Sequence, residues 1–276
     1  MRILLWLRND LRLHDHEPLH RATQKQADII PLYCFDPRQF GETPFGFPKT
    51  GAYRAQFLLE TVADLRAQLQ KKGSDLVIRQ GKPEEEIPAL VKALNVDAVY
   101  WHEEVTPEET DIERAVEKAL AELKVTSEVY WGATLYHPDD LPFEIKKLPE
   151  VFTQFRKAVE KESQIAPTFP TPEKLSALPQ EVELGDIPAI AHFGLKKSEI
   201  DPKGVLLFKG GETEGFARLQ HYFWDADRLQ VYKETRNEML GADYSSKFSP
   251  WLANGSLSPR KIYEEVQKYE QARRKN

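Results

Sequence analysis

A polar stretch near the end of the chain has residue types that can bind a phosphorylated ligand. Residues 243–249 have the sequence Asp-Tyr-Ser-Ser-Lys-Phe-Ser, which places several hydroxyl groups next to one ammonium group. Hydroxyls and free backbone N–H groups at the start of a helix can hold a diphosphate, and a lysine adds positive charge. Tyr232 and Arg236, one turn apart on a preceding helix, could close such a site. Plainer interpretations stay open: a serine-rich helix cap for the stretch, and a surface i,i+4 contact for the pair.

A second group of charged residues follows the first apolar run of the chain. Arg8, Asp10, Arg12 and Asp15 come directly after residues 3–7. One interpretation is that these side chains pair with each other at a sheet edge or a domain interface. The other is that they contact a ligand, because open α/β sheets bind ligands at the carboxyl ends of their strands.

Several other kinds of site are excluded by the sequence. It contains no glycine-rich dinucleotide fingerprint, no phosphate-binding P-loop and no G-x-S-x-G nucleophile elbow. His14, His16 and His20 have no matching carboxylate cluster, so we predict no metal site and no catalytic residue in this chain. The single cysteine, Cys34, can form neither an internal disulfide nor a cysteine-based zinc site.

Composition and charge limit the possible partners. The chain has 38 Lys and Arg residues against 44 Asp and Glu residues, and the formal charge of −6 excludes a surface that binds nucleic acid everywhere. The N-terminal apolar run is too short for a signal peptide, and no run approaches the ~18 apolar residues of a membrane span. We therefore expect a cytoplasmic protein with no membrane partner.

Strand and helix patterns alternate along the first half of the chain. Apolar runs predict five strands, at residues 3–7, 28–35, 75–79, 97–101 and 125–131. Helical patterns lie between them, at residues 18–26, 51–70, 83–94 and after the capping-box sequence at Thr106. Such alternation requires crossover connections, so residues 1–135 predict a doubly wound α/β domain with a parallel five-stranded sheet.

The rest of the chain has no strand pattern. Six prolines fall between Pro167 and Pro202, and residues 136–204 predict an interdomain linker with one helix at 148–162. We expect this linker to lie along a surface. Residues 205–276 predict a helical segment, with helices at 211–224 and 259–273.

Several segments carry a resemblance to a known family. The strongest are Tyr232-Lys-Glu-Thr-Arg236 and residues 243–253. Weaker matches lie at 6–19, 33–38, 49–51, 130–135, 139–143, 210–212, 217–219 and 255–260. On these segments the chain resembles the N-terminal part of the cryptochrome/photolyase family, and most closely its DASH branch. The similarity runs in the same order along essentially the whole chain.

The resemblance implies a flavoprotein of DNA repair. Family members bind FAD in an all-α C-terminal domain, and many carry an antenna chromophore, commonly methenyltetrahydrofolate, against the α/β domain. Photolyases use light and reduced flavin to split cyclobutane pyrimidine dimers, with single-stranded DNA preferred in the DASH branch, and they flip the lesion out of the strand. The matching motifs imply that Glu104 lies near the folate antenna. They imply flavin diphosphate contacts at Tyr232, Arg236, Ser245, Ser246, Lys247, Phe248 and Ser249.

Family members are much longer than this sequence. We therefore expect residues 205–276 to be the first helices of an incomplete FAD-binding domain. The chain is then a truncated form without the catalytic flavin pocket, able to associate with the missing C-terminal segment. Its helices should leave four apolar residues uncovered, namely Phe216, Leu219, Phe223 and Leu257. Two alternatives stay open: a non-catalytic blue-light photoreceptor that acts through partners, and a short chain that itself binds a chromophore or nucleotide.

Overall fold

A parallel five-stranded sheet forms the first half of the computed structural model, which describes residues 1–197, 199 and 203–274. The strands are β1 (Arg2–Leu7), β2 (Asp28–Phe35), β3 (Val77–Gln80), β4 (Ala98–His102) and β5 (Thr126–Tyr130). Their order is β3-β2-β1-β4-β5, and Ile3 of the central strand pairs with Ile29 on one side and Ala98 on the other. The direction of progression reverses between β1 and β4, where sheets of this kind bind ligands.

Helices cover both faces of the sheet. They are α1 (Glu17–Gln24), α2 (Ala52–Lys71), α3 (Pro83–Leu94) and α4 (Pro107–Glu122). Successive side chains of a strand point to opposite faces. Leu5 and Leu7 of β1 accordingly belong to the core under α1 and α2, whereas Leu4 and Trp6 belong to the core under α3 and α4. Burial on both faces explains why the three inner strands β1, β2 and β4 are mostly apolar, whereas the edge strands β3 and β5 carry polar residues. The predicted doubly wound α/β fold is confirmed.

Three predicted elements differ in detail. Strand β3 begins two residues later than expected, because the Asp75 carboxylate accepts the N–H of Leu76 (2.7 Å) in place of a ladder partner. The helix predicted at 148–162 begins at Phe152 (α5, Phe152–Glu162), because the backbone of Val151 before it is extended (φ −98, ψ 118). The Thr106 hydroxyl contacts the carboxylate of Glu109 and caps no backbone N–H, so the predicted capping box does not form.

The linker follows the α/β domain over its described part. Leu175 is buried in the sheet core, and its N–H donates to the carbonyl oxygen of Lys72 (2.8 Å). Farther along, the carbonyl oxygen of Leu184 accepts the N–H of Ile78 in β3 (2.6 Å). The linker therefore lies along a surface, as expected. Pro202, the last residue of its proline-rich stretch, lies outside the described residues.

The last part of the chain is helical. Helix α6 (Glu212–Gln220) continues into a π-helical turn at His221–Asp225, followed by α7 (Tyr232–Thr235), α8 (Ser249–Ala253) and α9 (Pro259–Arg274). Within the described ranges, no helix is both long enough and apolar enough to cross a membrane.

We expected four apolar residues of this segment to be uncovered, namely Phe216, Leu219, Phe223 and Leu257. That expectation is wrong. The last three are at most 3% exposed, and Phe216 packs partly buried against the same cluster. Trp251 lies at the centre of this cluster, and Phe57 of α2 packs against its ring with the centroids 5.9 Å apart. The helices are covered because they pack on each other and on the α/β domain. Exposed apolar side chains occur instead at Met239 and Leu240, each 88% exposed.

Candidate functional site

The charged loop after β1 joins the α/β domain to the C-terminal helices. The buried Arg12 guanidinium donates hydrogen bonds to the carbonyl oxygens of His14 (3.1 Å), Asp15 (3.1 Å), Gly132 (3.2 Å) and Gly255 (2.8 Å). The buried Asp15 carboxylate accepts two hydrogen bonds from Arg260 of α9, at 2.7 and 3.0 Å, and one from the Ser258 hydroxyl. These partners favour the interface interpretation of the loop. Its charged residues pair mainly with other segments, however, and not with each other.

Two histidine rings beside Arg12 share one carboxylate oxygen. Nε2 of His16 lies 2.9 Å and Nδ1 of His102 lies 2.7 Å from Oδ2 of Asp10. Nδ1 of His16 accepts the N–H of Leu19 (3.2 Å), so the ring proton is on Nε2 and points at Asp10. Burial alone would raise the pKa of Asp10, but both histidines favour its ionised form and hold that pKa well below its usual value.

The same three residues form the one group of potential metal ligands that converges among the described residues. Their atoms already satisfy each other, because each ring places an N–H towards the carboxylate. A metal ion would need the position that the proton on His16 Nε2 occupies. The arrangement therefore favours a buried hydrogen-bond network over a coordination site.

A small cavity of about 110 Å³ lies beside His102, at the point where the strand order reverses. Loops after β1, β4 and β5 form its walls, and residues 252–259 close it. Glu104 lies on the wall and accepts a hydrogen bond from the Asn9 amide (2.9 Å). Burial raises the pKa of Glu104, partly opposed by the charge of Arg8. Nε2 of His102 is buried without a hydrogen-bond partner in the described part of the chain. That nitrogen faces Gly132, where a Cβ atom would lie 2.4 Å from it, so the cavity offers a ligand the Glu104 carboxylate and not the imidazole nitrogen.

A much larger cavity of about 710 Å³ adjoins it, and Asn9 lines both. Tyr53, Arg54 and Phe57 of α2 form one wall, and residues 204–209 of the chain form the opposite one. Sequence analysis missed this cavity because its walls come from segments that are far apart along the chain. Its lining does include residues of four matching segments, namely Asn9, Tyr33, Thr50 and Pro250, but nothing in the sequence indicated that these segments meet.

The predicted diphosphate stretch, residues 243–249, is a turn-rich loop that ends at α8. Because α8 has only five residues, the helix-start argument for this stretch loses its weight, and the loop itself must provide the binding groups. Phe248 is buried in the C-terminal cluster. The Lys247 ammonium lies 3.6 Å from the centre of the Tyr244 ring. The hydroxyls of the three serines, Ser245, Ser246 and Ser249, form no hydrogen bond with any described residue.

The pair on the preceding helix lies next to this loop. The Arg236 guanidinium carbon is 5.9 Å from the centre of the Tyr232 ring. The Thr235 hydroxyl donates to the carbonyl oxygen of Tyr244 (2.8 Å) and so ties α7 to the loop. The structure brings the predicted flavin contacts into one region, and Glu104 lies apart from them at the sheet edge.

The loop is held by a residue that sequence analysis did not select. Arg218 of α6 donates hydrogen bonds to the carbonyl oxygens of Ala242, Ser245 and Ser246 and forms an ion pair with Asp243 (2.7 Å). Its only signal in the sequence was its membership in the matching segment 217–219.

Comparison with known proteins identifies the family. The family model described as DNA photolyase matches residues 3–173. The chain belongs to the DNA photolyase family. The cryptochrome DASH of Gloeobacter violaceus is 58% identical over 274 residues, which cover 99% of this chain and 55% of that protein. The solved structure of a cryptochrome from Synechocystis sp. has a TM-score of 0.94 at 52% identity and covers 98% of this chain and 56% of that one.

A more distant relative belongs to the same family. An archaeal photolyase from Sulfolobus tokodaii, solved with two FAD molecules, has a TM-score of 0.76 at 25% identity and covers 100% of this chain and 57% of that one. This photolyase-family chain therefore spans about half the length of the relatives it matches. The expected membership in the cryptochrome/photolyase family, with closest similarity to DASH proteins, is confirmed, and the family implies a flavin chromophore. The individual site residues stay predictions.

Proposed function

We propose that this chain supplies the α/β domain and the first flavin-contacting helices of a DASH-type cryptochrome/photolyase. The observation that carries the proposal is 58% identity with a cryptochrome DASH over 99% of the chain. The complete protein would use light and reduced FAD to split cyclobutane pyrimidine dimers, preferably in single-stranded DNA. Residues 1–135 would form the antenna-binding domain, 136–204 the interdomain linker, and 205–276 the start of the FAD-binding domain.

In this proposal the flavin diphosphate contacts the loop 245–249 together with Tyr232 and, more weakly, Arg236. Support comes from the three serine hydroxyls that have no described partner and from the Lys247 ammonium beside them. Each contact contributes about 0.5–1.5 kcal/mol, or up to about 3 kcal/mol when charged. Ordering the loop and immobilising the ligand cost on the order of 4–15 kcal/mol.

The balance between these terms predicts weak binding of FAD by the chain alone. The dissociation constant should be no lower than high micromolar to millimolar, which is too weak to survive a column. The isoalloxazine pocket would come from a segment that corresponds to the second half of the relatives, supplied in the same chain or as a separate polypeptide.

A flavin titration with and without that second half tests the proposal. The 276-residue chain should purify without colour, whereas its mixture with the second half of the Gloeobacter relative should bind FAD and split a dimer in a single-stranded oligonucleotide under blue light. Lys247→Ala combined with Ser245→Ala should weaken FAD binding several-fold. Lys124→Ala is the matched control, because Lys124 is also a lysine with a left-handed backbone (φ 58 against 56) but lies before β5. A chain that purifies yellow by itself, with one flavin per chain, would refute the proposal.

We propose a methenyltetrahydrofolate antenna at the cavity beside Glu104. A buried carboxylate can accept N–H groups of the pterin ring, but a cavity of about 110 Å³ has room for only part of the chromophore. The adjoining cavity of about 710 Å³ has room for a ring system, and the Sulfolobus tokodaii photolyase was described with a second FAD as a light-harvesting cofactor. Absorption spectra after addition of folate or flavin distinguish the two antennas. Glu104→Gln should remove folate binding only, and Glu117→Gln on the exposed face of α4 should not.

A non-catalytic blue-light photoreceptor is the second candidate. It is favoured by the formal charge of −6 and by ion pairs that neutralise the basic residues of α9. These residues are ion-paired within the chain, namely Arg260 with Asp15, Lys261 with Glu264 and Arg273 with Asp227. Lys275, which follows Arg273 and Arg274 in the sequence, lies outside the described residues. Binding of the chain to undamaged oligonucleotides should be weak and steeply salt-dependent. A reconstituted flavoprotein that absorbs blue light and leaves the dimer intact would favour this candidate.

A further inference from the structure

Arg218 is a buried cation with four hydrogen bonds to a single loop. The residue is only 6% exposed. Its Nε donates to the carbonyl oxygen of Ser246 (3.0 Å), and its Nη2 donates to those of Ala242 (3.0 Å) and Ser245 (3.1 Å). Nη1 donates to Oδ1 of Asp243 (2.7 Å). A planar guanidinium fork can span these acceptors, whereas the point-like ammonium of a lysine cannot.

The carbonyl directions determine where the neighbouring N–H groups point. In a planar trans peptide, the carbonyl and the following N–H point in opposite directions. Since the carbonyls of Ser245 and Ser246 point at Arg218, the N–H groups of Ser246 and Lys247 point away from it. Lys247 has a φ of 56, in the left-handed region, and Phe248 has a φ of −76, in the right-handed region. Consecutive residues with these two conformations turn their N–H groups towards one side. Such concave sets of N–H groups bind anions.

These N–H groups are available for a ligand. None of the backbone N–H groups of residues 245–249 donates to another residue in the described ranges. Asp243 also accepts a contact from Nε2 of His221 (3.0 Å), so the buried Arg218 charge is balanced on the inner side of the loop. Lys247 has no carboxylate partner among the described residues, and its charge is therefore available on the loop.

We infer that Arg218 is the positioning residue of the diphosphate site: it holds residues 242–246 so that the N–H groups of 246–249 face the ligand. The inference rests on the proposed FAD function and names the residue that shapes that site without contacting the ligand. Removal of the fork should disorder the loop first and weaken the diphosphate contact as a consequence.

Two measurements on the 276-residue chain test the inference. The first is the rate of chymotryptic cleavage after Tyr244 without ligand, followed by mass spectrometry, and the second is equilibrium dialysis with FAD and with ADP as probes. In Arg218→Lys, cleavage after Tyr244 should become about tenfold faster or more, because a loosened loop fits a protease more often, and both dissociation constants should rise about tenfold. Arg260→Lys is the matched control, because Arg260 is also nearly buried and paired with an aspartate (2.7 Å) but forms no hydrogen bond to the loop. It should leave cleavage after Tyr244 and both dissociation constants unchanged, even where it lowers Tm equally.

Chemical rescue separates positioning from general stability. In Arg218→Ala, added N-methylguanidinium should restore resistance to cleavage after Tyr244, whereas methylammonium at the same concentration should not, because only the former can span the carbonyls. If neither variant of Arg218 folds, Asp243→Asn removes the ion pair alone and should speed cleavage after Tyr244 only.

Each possible result supports or overturns the positioning role of Arg218. Unchanged cleavage after Tyr244 in the folded Arg218 variants, or in Asp243→Asn where those do not fold, overturns the inference. Faster cleavage with unchanged FAD and ADP affinity also overturns it, because loop order would then not matter to the diphosphate. A wild-type chain that binds neither probe, alone or with the second half, refutes the proposed function instead. The cleavage data then decide by themselves whether Arg218 orders the loop.

Discussion

Gly255 allows the C-terminal helices to approach the α/β domain, and its replacement by alanine should separate them. Its φ is +68, in the left-handed region that favours glycine. A methyl group at this position would overlap the carbonyl oxygen of Asn9 and lie 2.6 Å from the Cα of Asp10. Both neighbours are backbone atoms, so no side chain can move aside. The Gly255 carbonyl also accepts a hydrogen bond from the buried Arg12 (2.8 Å).

The expected loss of stability follows from these contacts. A left-handed conformation costs a residue with a Cβ about 1–2 kcal/mol. Separation of the segments would break the bonds from Arg12 to Gly255 and from Leu11 to Asn254 (3.2 Å), each contributing about 1 kcal/mol. An unsatisfied donor on the buried guanidinium adds about 1–3 kcal/mol. We therefore expect Gly255→Ala to lower the free energy of unfolding by about 4–7 kcal/mol.

Gly194→Ala separates the energetic cost of a left-handed backbone from the cost of the steric overlap at Gly255. Gly194 has a nearly identical φ of +70, but a methyl group there would meet nothing within 4 Å. Gly194→Ala should therefore lower the free energy of unfolding by only about 1–2 kcal/mol. Thermal unfolding should place the two variants about 6–20 °C apart, and limited proteolysis should cut the linker ahead of α6 faster in Gly255→Ala only. Equal losses of stability in the two variants would refute the reasoning.

Three further predictions concern buried ionisable groups. Asp15→Asn leaves the Arg260 guanidinium without its anion and should lower the unfolding free energy by about 3–5 kcal/mol in urea titrations. Burial lowers the pKa of His102 from 6.5 to about 4, so between these values the unfolded chain binds a proton that the folded chain does not. Stability should therefore fall as the pH is lowered from 6.5 to 4, by up to about 3 kcal/mol, and His102→Gln should flatten this part of the profile. Burial also raises the pKa of the Cys34 thiol to about 12, so Ellman's reagent at pH 8 should react with it only after denaturation.

The contradicting results are equally specific. An Asp15→Asn variant with wild-type stability would mean that the junction does not depend on this ion pair. A pH profile that keeps its slope in His102→Gln would assign the slope to another group. Rapid labelling of Cys34 in the native protein would mean that the carboxyl end of β2 opens readily.

Local pattern in the sequence was sufficient for the architecture of the first half. The apolar runs at 28–35 and 97–101 are buried strands, and the three- and four-residue spacing of Val62, Leu65 and Leu69 places them on the inner face of α2. Periodicity reports which side of an element is buried, and this depends on neighbours along the chain. The polar stretch at 243–249 was recognisable for the same reason, because its hydroxyls and its lysine are close in sequence.

Only the tertiary structure decided what these elements contact. Arg12 hydrogen-bonds to Gly255 and Asp15 pairs with Arg260, and both contacts join residues that are far apart in sequence. The side chains that bury Phe223 and those that line the two cavities likewise come from distant segments. Such contacts depend on how whole elements pack, and no local spacing encodes them. The sequence by itself determined the strands, the helices and the residue types of the site. Packing between distant segments determined that the charged loop after β1 is a buried junction and that Arg218 lies under the loop at residues 242–246.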